Sequence, residues 1–358
     1  KSFTRLDILA SASISAPSFS EQYAIMMMTL LILAGFFLLF IGGEALVRGS
    51  VGIARKVGMS ELVIGLTLVG FGTSLPELVT SLQALSEGAT GLSIGNVIGS
   101  NVANIMLVIG AAAFVKAITT NPAALARDGA FMVAVTVLFA VIVWIDGFTR
   151  TTGIAFTALL VVYLVVSVVL ARRANSAAGS MHGEEAEEFE HDDPTWLSIV
   201  MTIGGIVGVI VGARFLVSGG SDAARLFGVS ETVIGISIVA IGTSLPELVT
   251  SIVAARKGKA DVALGNVLGS NVFNILGILG VSAIIFPFTL IETGAAGVPL
   301  EIAAMQFGQA ASIVTWTDMG ALFLSVFLLF VFAFTGRKLA RWEGSILLIA
   351  YMLYIGMR

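Results

Sequence analysis

The sequence predicts an all-α polytopic membrane protein, with about ten transmembrane helices arranged as two inverted five-helix repeats. Three observations carry this. The 358 residues are 57% hydrophobic and 12% charged, with a mean hydropathy of +1.01, whereas a soluble domain carries about 25% charge. Apolar runs near the ~20 residues needed to cross a bilayer recur along the whole chain. Ten residues also occur twice, GTSLPELVTS at 72–81 and 242–251. Each copy is followed at the same distance by a second shared block, GNVIGSNVAN at 95–104 and GNVLGSNVFN at 265–274.

Hydropathy places the spans near 26–47, 61–86, 93–115, 128–146, 152–171, 196–217, 231–256, 261–286, 318–335 and 342–357. A membrane β-barrel would instead alternate apolar and polar residues in ~10-residue units. Residues 1–25 are mixed, lack the apolar core of a signal peptide, and read as an external tail. Residues 26–171 form the first repeat, 172–195 an acidic cytoplasmic linker and 196–358 the second repeat. The linker holds Glu184, Glu185, Glu187, Glu188, Glu190, Asp192 and Asp193 without the alternating ligands and turn glycine of an EF-hand loop. A solvated hinge is the simpler reading beside a regulatory cation site. Residues 287–317 read as a flexible external connection.

Orientation follows from charge. Loops after odd-numbered spans collect 13 of the 19 Lys and Arg, including Arg55, Lys56, Arg172, Arg173 and Lys257. The positive-inside rule puts these in the cytoplasm and both termini outside. Glu77 and Glu247 lie 170 positions apart, as do Asn104 and Asn274, so the halves align across these blocks without a gap. The identity extends to GMSELVIGLTLVGF (58–71) against GVSETVIGISIVAI (228–241), and more loosely to LVRG (46–49) against LVSG (216–219). Five spans per half is an odd number, so the second copy enters the membrane upside down. Secondary transporters recur with this architecture and hold their sites near the midplane. Spans without shared motifs read as scaffold and sliding surface.

A charge inside a membrane costs at least ~2.5 kcal/mol, which makes Glu77 and Glu247 functional-site candidates. Thr73, Ser74 and Glu77 stand at i, i+1 and i+4, so Thr73 and Glu77 share a helical face. Pro76 removes an N–H and clashes with the carbonyl one turn back, loosening the turn and freeing carbonyls near Gly70–Gly72. Irregular backbone of this kind survives at membrane depth only when buried or lining a cavity. The seventh span repeats each element with Ala240, Thr243, Ser244, Pro246 and Glu247. The third adds Ser100 and Asn104, the eighth Ser270 and Asn274. Gly95, Gly99, Gly265 and Gly269 permit close helix approach.

The assembled inventory is all oxygen, which hard cations such as Ca²⁺ and Na⁺ take, whereas zinc and copper prefer nitrogen and sulfur. No Lys or Arg lies at matching depth, so the partner of the two acids is a cation from solution or a proton. For any single Ser or Thr the competing reading is a bond back to its own helix. For the Asn pair it is interhelical glue. The chain has no Cys, and His182 and His191 both lie in the linker, so no Ser-His, Cys-His or HExxH set supports an enzyme.

The paired GTSLPEL and GNV(I/L)GSN blocks resemble those of the cation/calcium exchanger superfamily, specifically the sodium/calcium exchangers. The short linker is similar to that of prokaryotic members. The resemblance implies Na⁺/Ca²⁺ antiport by alternating access, with no cofactor, the transported ions bound at the site, and the lipid bilayer rather than nucleic acid as the surroundings. It implies that Glu77 and Glu247 are central Ca²⁺ ligands, and that Thr73, Ser74, Thr243 and Ser244 bind Na⁺ with the glutamate oxygens. It further implies Na⁺-site roles for Ser100 and Ser270, carbonyl ligands at Gly70 and Ala240, and central polar positions at Asn104 and Asn274. Some relatives carry Asp where this chain has Asn274, and in potassium-dependent members that Asp is tied to K⁺ use. Asn274 therefore implies K⁺ independence. A proton- or K⁺-coupled exchanger of Ca²⁺ or another divalent, or a cation channel, stands as the alternative. Oligomeric state is open.

Overall fold

The computed structural model describes residues 19–120, 122, 125–145, 147–179, 193–228, 240–288 and 316–357. The described residues are predominantly helical. In the first half α1 spans Phe19–Val57. A broken segment follows, comprising α2 (Glu61–Ile64), a π-helical turn (Gly65–Val69), α3 (Gly70–Thr73) and α4 (Leu75–Ser86). Then come α5 (Thr90–Ala103), a π-helical stretch (Asn104–Ile109), α6 (Gly110–Val115), the short strand β1 (Ile118–Thr119), α7 (Ala130–Trp144) and α8 (Arg150–Gly179). The second half contains α9 (Thr195–Leu226), α10 (Ala240–Thr243), α11 (Leu245–Arg256), α12 (Ala260–Val272), a π-helical stretch (Phe273–Ile278) and α13 (Leu279–Ile285). It closes with α14 (Trp316–Thr335), β2 (Lys338–Leu339) and α15 (Arg341–Gly356).

Among the described residues seven helices are long and apolar enough to cross a membrane, and the pair Glu61–Thr73 and Leu75–Ser86, bent by 43°, makes an eighth when taken as one span. The chain is a multi-pass membrane protein. Two spans differ from the rest: Thr90–Val115 and Ala260–Ile285 are each 78% buried, against 39% or less for the other five. The motif-bearing helices therefore form the centre of the bundle and the remaining spans face lipid.

Several helices outrun their hydropathy. The span expected at 26–47 is part of the 39-residue α1, which starts inside the stretch read as a tail and carries Arg48, Arg55 and Lys56 beyond the apolar run. The extension past the apolar run is held by packing, since Gly49 and Gly52 are poor helix formers but sit against Ser198 and Thr202 of α9. The acidic linker residues 180–192, most of the 287–317 connection and residues 1–18 lie outside the described residues.

Packing is governed by glycine. Helices α1 and α9 run antiparallel in contact along most of their length, through backbone-to-backbone approaches. A Cβ at Gly35 would lie 2.8 Å from the Leu216 nitrogen, and one at Gly42 2.8 Å from that of Val209. A Cβ at Gly205 would lie 2.5 Å from the Leu46 nitrogen, and one at Gly49 2.6 Å from the Ser198 carbonyl. Lipid supplies no hydrophobic drive between helices, so close van der Waals contact of this kind holds them together. Gly265 and Gly269 likewise press α12 against the carbonyls of Leu62 and Leu66. A Cβ at Gly95 or Gly99 would meet nothing within 4 Å among the described residues. The segment equivalent to Leu62–Leu66 in the second half, 232–236, falls outside them.

Two buried acid–tyrosine pairs staple neighbouring lipid-facing spans. The Tyr163 hydroxyl of α8 donates to Asp128 at 3.5 Å, and that of Tyr354 in α15 donates to Asp318 at 3.1 Å. Asp128 also takes a bidentate bond from Arg127 at 3.0 and 2.7 Å. Antiparallel pairing of Ile118 with Leu339 and Thr119 with Lys338 joins the two halves at one face. The same face gathers ion pairs: Arg48 with Asp193 at 2.8 Å, Lys259 with Glu61 at 2.8 Å, and Lys257 with Glu44.

Candidate ion-binding site

Each motif span breaks at the same residue. Ser74 has φ −86° and ψ 8°, and Ser244 has φ −88° and ψ 4°. Pro76 and Pro246 sit in the first turn that follows, where a missing N–H costs nothing because the first N–H groups of a helix have no internal partner. Glu77 and Glu247 also occupy that first turn. The partial positive charge at a helix N-terminus favours an anionic side chain there.

The structure brings the predicted residues together. Glu77 is 1% exposed and Glu247 0%, and Ser74, three residues before Glu77, bonds to Glu247. Thr73, Ser74, Ser100, Asn104, Ser244, Ser270 and Asn274 are buried with them. Thr243 is half-buried, and Ala240 opens α10. Contacts cross between halves: the Ser74 hydroxyl donates to Glu247 Oε1 at 2.9 Å, and the Ser270 hydroxyl donates to the Gly70 carbonyl at 3.1 Å. The Gly70 carbonyl also accepts from the Ser74 N–H at 3.1 Å, so it is engaged by two donors. The single Thr73 hydroxyl proton has three acceptors in reach, the carbonyls of Val69 at 3.1 Å and Gly70 at 3.3 Å and Asn266 Oδ1 at 3.3 Å. Its oxygen lone pairs remain available to a cation.

Other polar atoms at the centre have no hydrogen-bond partner among the described residues. They are Glu77 Oε2, Glu247 Oε2, the Ser244 hydroxyl, and both amide atoms of Asn104 and Asn274. A buried polar group left unpaired costs about 1–3 kcal/mol. This set of unpaired oxygens around two carboxylates suits a hard cation. No cluster of three or more His, Cys, Asp or Glu occurs among the described residues, so neutral oxygens must complete any coordination shell around the two glutamates.

Sequence reasoning missed two pairs. Asn96 Nδ2 donates to the Glu77 carbonyl at 3.1 Å and to the Ser81 hydroxyl at 2.9 Å. Asn266 Nδ2 makes the same bonds to the Glu247 carbonyl at 3.3 Å and the Ser251 hydroxyl at 2.9 Å. Each amide clamps the turn that carries the acid. Asn101 and Asn271 are also buried with both amide atoms unpaired among the described residues. The signal for all four was present, because each is a polar residue in a duplicated block.

A cavity of about 300 Å³ leads to this centre from the face where α4 ends. Val79, Thr80, Gln83, Arg214 and Ser218 line it, and Pro76, Thr243 and Pro246 form its inner wall. On the opposite face Gly43 of α1 packs against the side chains of Val249 and Val253, from which an added Cβ would lie 3.1 and 3.3 Å away.

A family model described as sodium/calcium exchanger protein matches residues 27–169 and again 197–358, once per half. The chain belongs to the sodium/calcium exchanger family. It is 32% identical to the sodium/calcium exchanger MaX1 of Methanosarcina acetivorans over 363 residues, covering 91% of this chain and 97% of that protein. It is 36% identical to the inner membrane protein YrbG of Escherichia coli, covering 72% of this chain and 80% of that one. The fold matches the sodium-calcium exchanger NCX_Mj, solved from crystals soaked with 10 mM Na⁺ and zero Ca²⁺. The TM-score is 0.74 at 33% identity, over 93% of this exchanger and 99% of that chain.

Proposed function

We propose that this chain is a secondary active antiporter that exchanges Na⁺ for Ca²⁺ across the cell membrane by alternating access. The observation that carries the reading is the centre itself. Two buried carboxylates, one from each half, are surrounded by neutral oxygens, and among the described residues no basic side chain reaches them. Glu77 and Glu247 bind Ca²⁺ centrally. Thr73, Ser74, Thr243, Ser244, Ser100 and Ser270, with the Ala240 carbonyl and, once the Ser270 hydroxyl turns from it to the ion, the Gly70 carbonyl, hold Na⁺ together with the glutamate oxygens. Asn104 and Asn274 complete the middle. Ca²⁺ and Na⁺ compete for these oxygens, so one load crosses at a time. Without a cation the two carboxylates repel in a low-dielectric interior, which opposes closure of the empty site and suppresses leak.

The architecture is two inverted five-helix repeats. Hydropathy expects ten spans, of which up to eight are met among the described residues; α11 and α15 lie within the two others. The basic face that carries Lys257 is cytoplasmic and both termini are external. The 300 Å³ cavity then opens outward.

The test is Ca²⁺ uptake into Na⁺-loaded proteoliposomes. An outward Na⁺ gradient drives uptake, while proton or K⁺ gradients do not. Glu77→Gln and Glu247→Gln each abolish it with the protein still folded. Uptake indifferent to Na⁺, or near-normal flux in either variant, refutes the assignment.

A further inference from the structure

The halves align with a constant offset of 170 positions, from LVRG and LVSG in the first and sixth spans through the shared blocks. The turn after each motif span keeps that offset too, with Gly88 at φ +76° and Gly258 at φ +78°. Under it, Glu44 of α1 corresponds to Arg214 of α9, and Lys257 corresponds to Glu87. Glu44 and Lys257 form an ion pair on the basic face. Their counterparts have both charges exchanged. Reversing both keeps the pair attractive, whereas reversing one would make it repulsive.

Arg214 and Glu87 are not joined in this structure. Arg214 is exposed and lines the 300 Å³ cavity, and Glu87 accepts a bond from Gln83 Nε2 at 3.1 Å. The surrounding contacts differ in the same sense. Gly43 packs against Val249 and Val253, and their counterparts Ala213, Val79 and Gln83 all line the open cavity. One face is shut where the other is open, residue for residue. Helices α1 and α9, which carry Glu44 and Arg214, are locked together by glycine contacts, so they shift as one body.

We propose that Lys257–Glu44 is a latch that holds the basic face closed, and that Arg214–Glu87 is its charge-exchanged partner, formed on the opposite face when the α1–α9 pair shifts. The inference rests on the inverted-repeat, alternating-access reading. In an inverted repeat, contacts made by one half in one state are made by the other half in the opposite state. Both side chains of the formed pair are partly exposed, at 32% and 45%. An ion pair of that exposure shifts an equilibrium by at most roughly fivefold. It biases the two states without trapping either.

The chain contains no cysteine, so two can be introduced cleanly. The full-length double variant Arg214→Cys, Glu87→Cys is reconstituted and treated with a bifunctional thiol reagent as long as an Arg–Glu side-chain pair. A direct disulfide would need Cα atoms within about 7 Å, closer than an Arg–Glu ion pair requires. Cross-linking is expected, and adding Glu44→Gln should speed it by roughly two- to fivefold. Exchanging the formed pair, with Glu44→Lys and Lys257→Glu together, should return the rate to that of the cysteine variant, which separates lost charge pairing from damaged folding. Absence of cross-linking, or a rate indifferent to Glu44→Gln, overturns the proposal. The readout is proximity and not flux. A chain that cross-links as expected but does not exchange Na⁺ for Ca²⁺ refutes the coupling assignment and leaves the latch standing.

Discussion

Asn266 is the clearest place to weigh how the scaffold holds its acids. It is fully buried and makes three bonds: to the Glu247 carbonyl at 3.3 Å, to the Ser251 hydroxyl at 2.9 Å, and from the Thr73 hydroxyl at 3.3 Å. A net hydrogen bond contributes about 1 kcal/mol, and the two longer ones about half that each, so Asn266→Ala removes about 2 kcal/mol. About half of this acts on Glu247 and Thr73, groups assigned to the ion, which corresponds to about a fivefold rise in half-saturating Ca²⁺. Asn96 makes the two equivalent bonds at 3.1 and 2.9 Å and is half-buried. Its alanine variant should raise half-saturation by about twofold. The assay is Ca²⁺ dependence of Na⁺-driven uptake in proteoliposomes, with thermal melting in detergent as the control. An unchanged half-saturation in Asn266→Ala, or a larger effect in Asn96→Ala, would refute the clamp.

Ser74→Ala removes the 2.9 Å bond to Glu247 Oε1. Hydrogen bonds to charged groups contribute about 1.5 kcal/mol or more, so ion affinity in equilibrium titration should fall about tenfold. Gly205→Ala drives a Cβ to 2.5 Å from the Leu46 backbone, whereas Gly204, one residue away and lipid-facing, has nothing within 4 Å among the described residues. Overpacking costs about 1–3 kcal/mol, so Gly205→Ala should melt several degrees lower in detergent while Gly204→Ala melts as the parent does. Exchange should run at the same rate when choline replaces K⁺, because Asn274 adds no third carboxylate to the centre.

The acids were legible because a charge in an apolar run is costly and this one occurs twice. Irregular backbone before each acid was legible from Pro76 and Pro246, but its place was not: the breaks fall at Ser74 and Ser244, so each proline opens a new helix, and the Gly70 carbonyl expected to be free is taken by the Ser74 N–H and the Ser270 hydroxyl. Asn96 and Asn266 were not singled out, because an asparagine among glycines and valines reads as packing until its distance to another helix is known. The π-helical stretches at Asn104–Ile109 and Phe273–Ile278 have no residue signature, since one extra residue per turn changes hydrogen bonding without changing composition. The pairs Asp128–Tyr163 and Asp318–Tyr354 escaped for a different reason. Their separations of 35 and 36 positions fall in spans whose sequences have diverged, so only space reveals the correspondence.

The Thr73–Asn266 contact ties together positions 193 residues apart, one in each half. A duplicated gene begins with two interchangeable copies. Once a threonine of one copy hangs on an amide of the other, neither can drift alone: a change at position 73 is felt at position 266, and through it at Glu247. The halves have become unlike subunits of one obligate pair, kept in fixed proportion by the peptide chain that joins them.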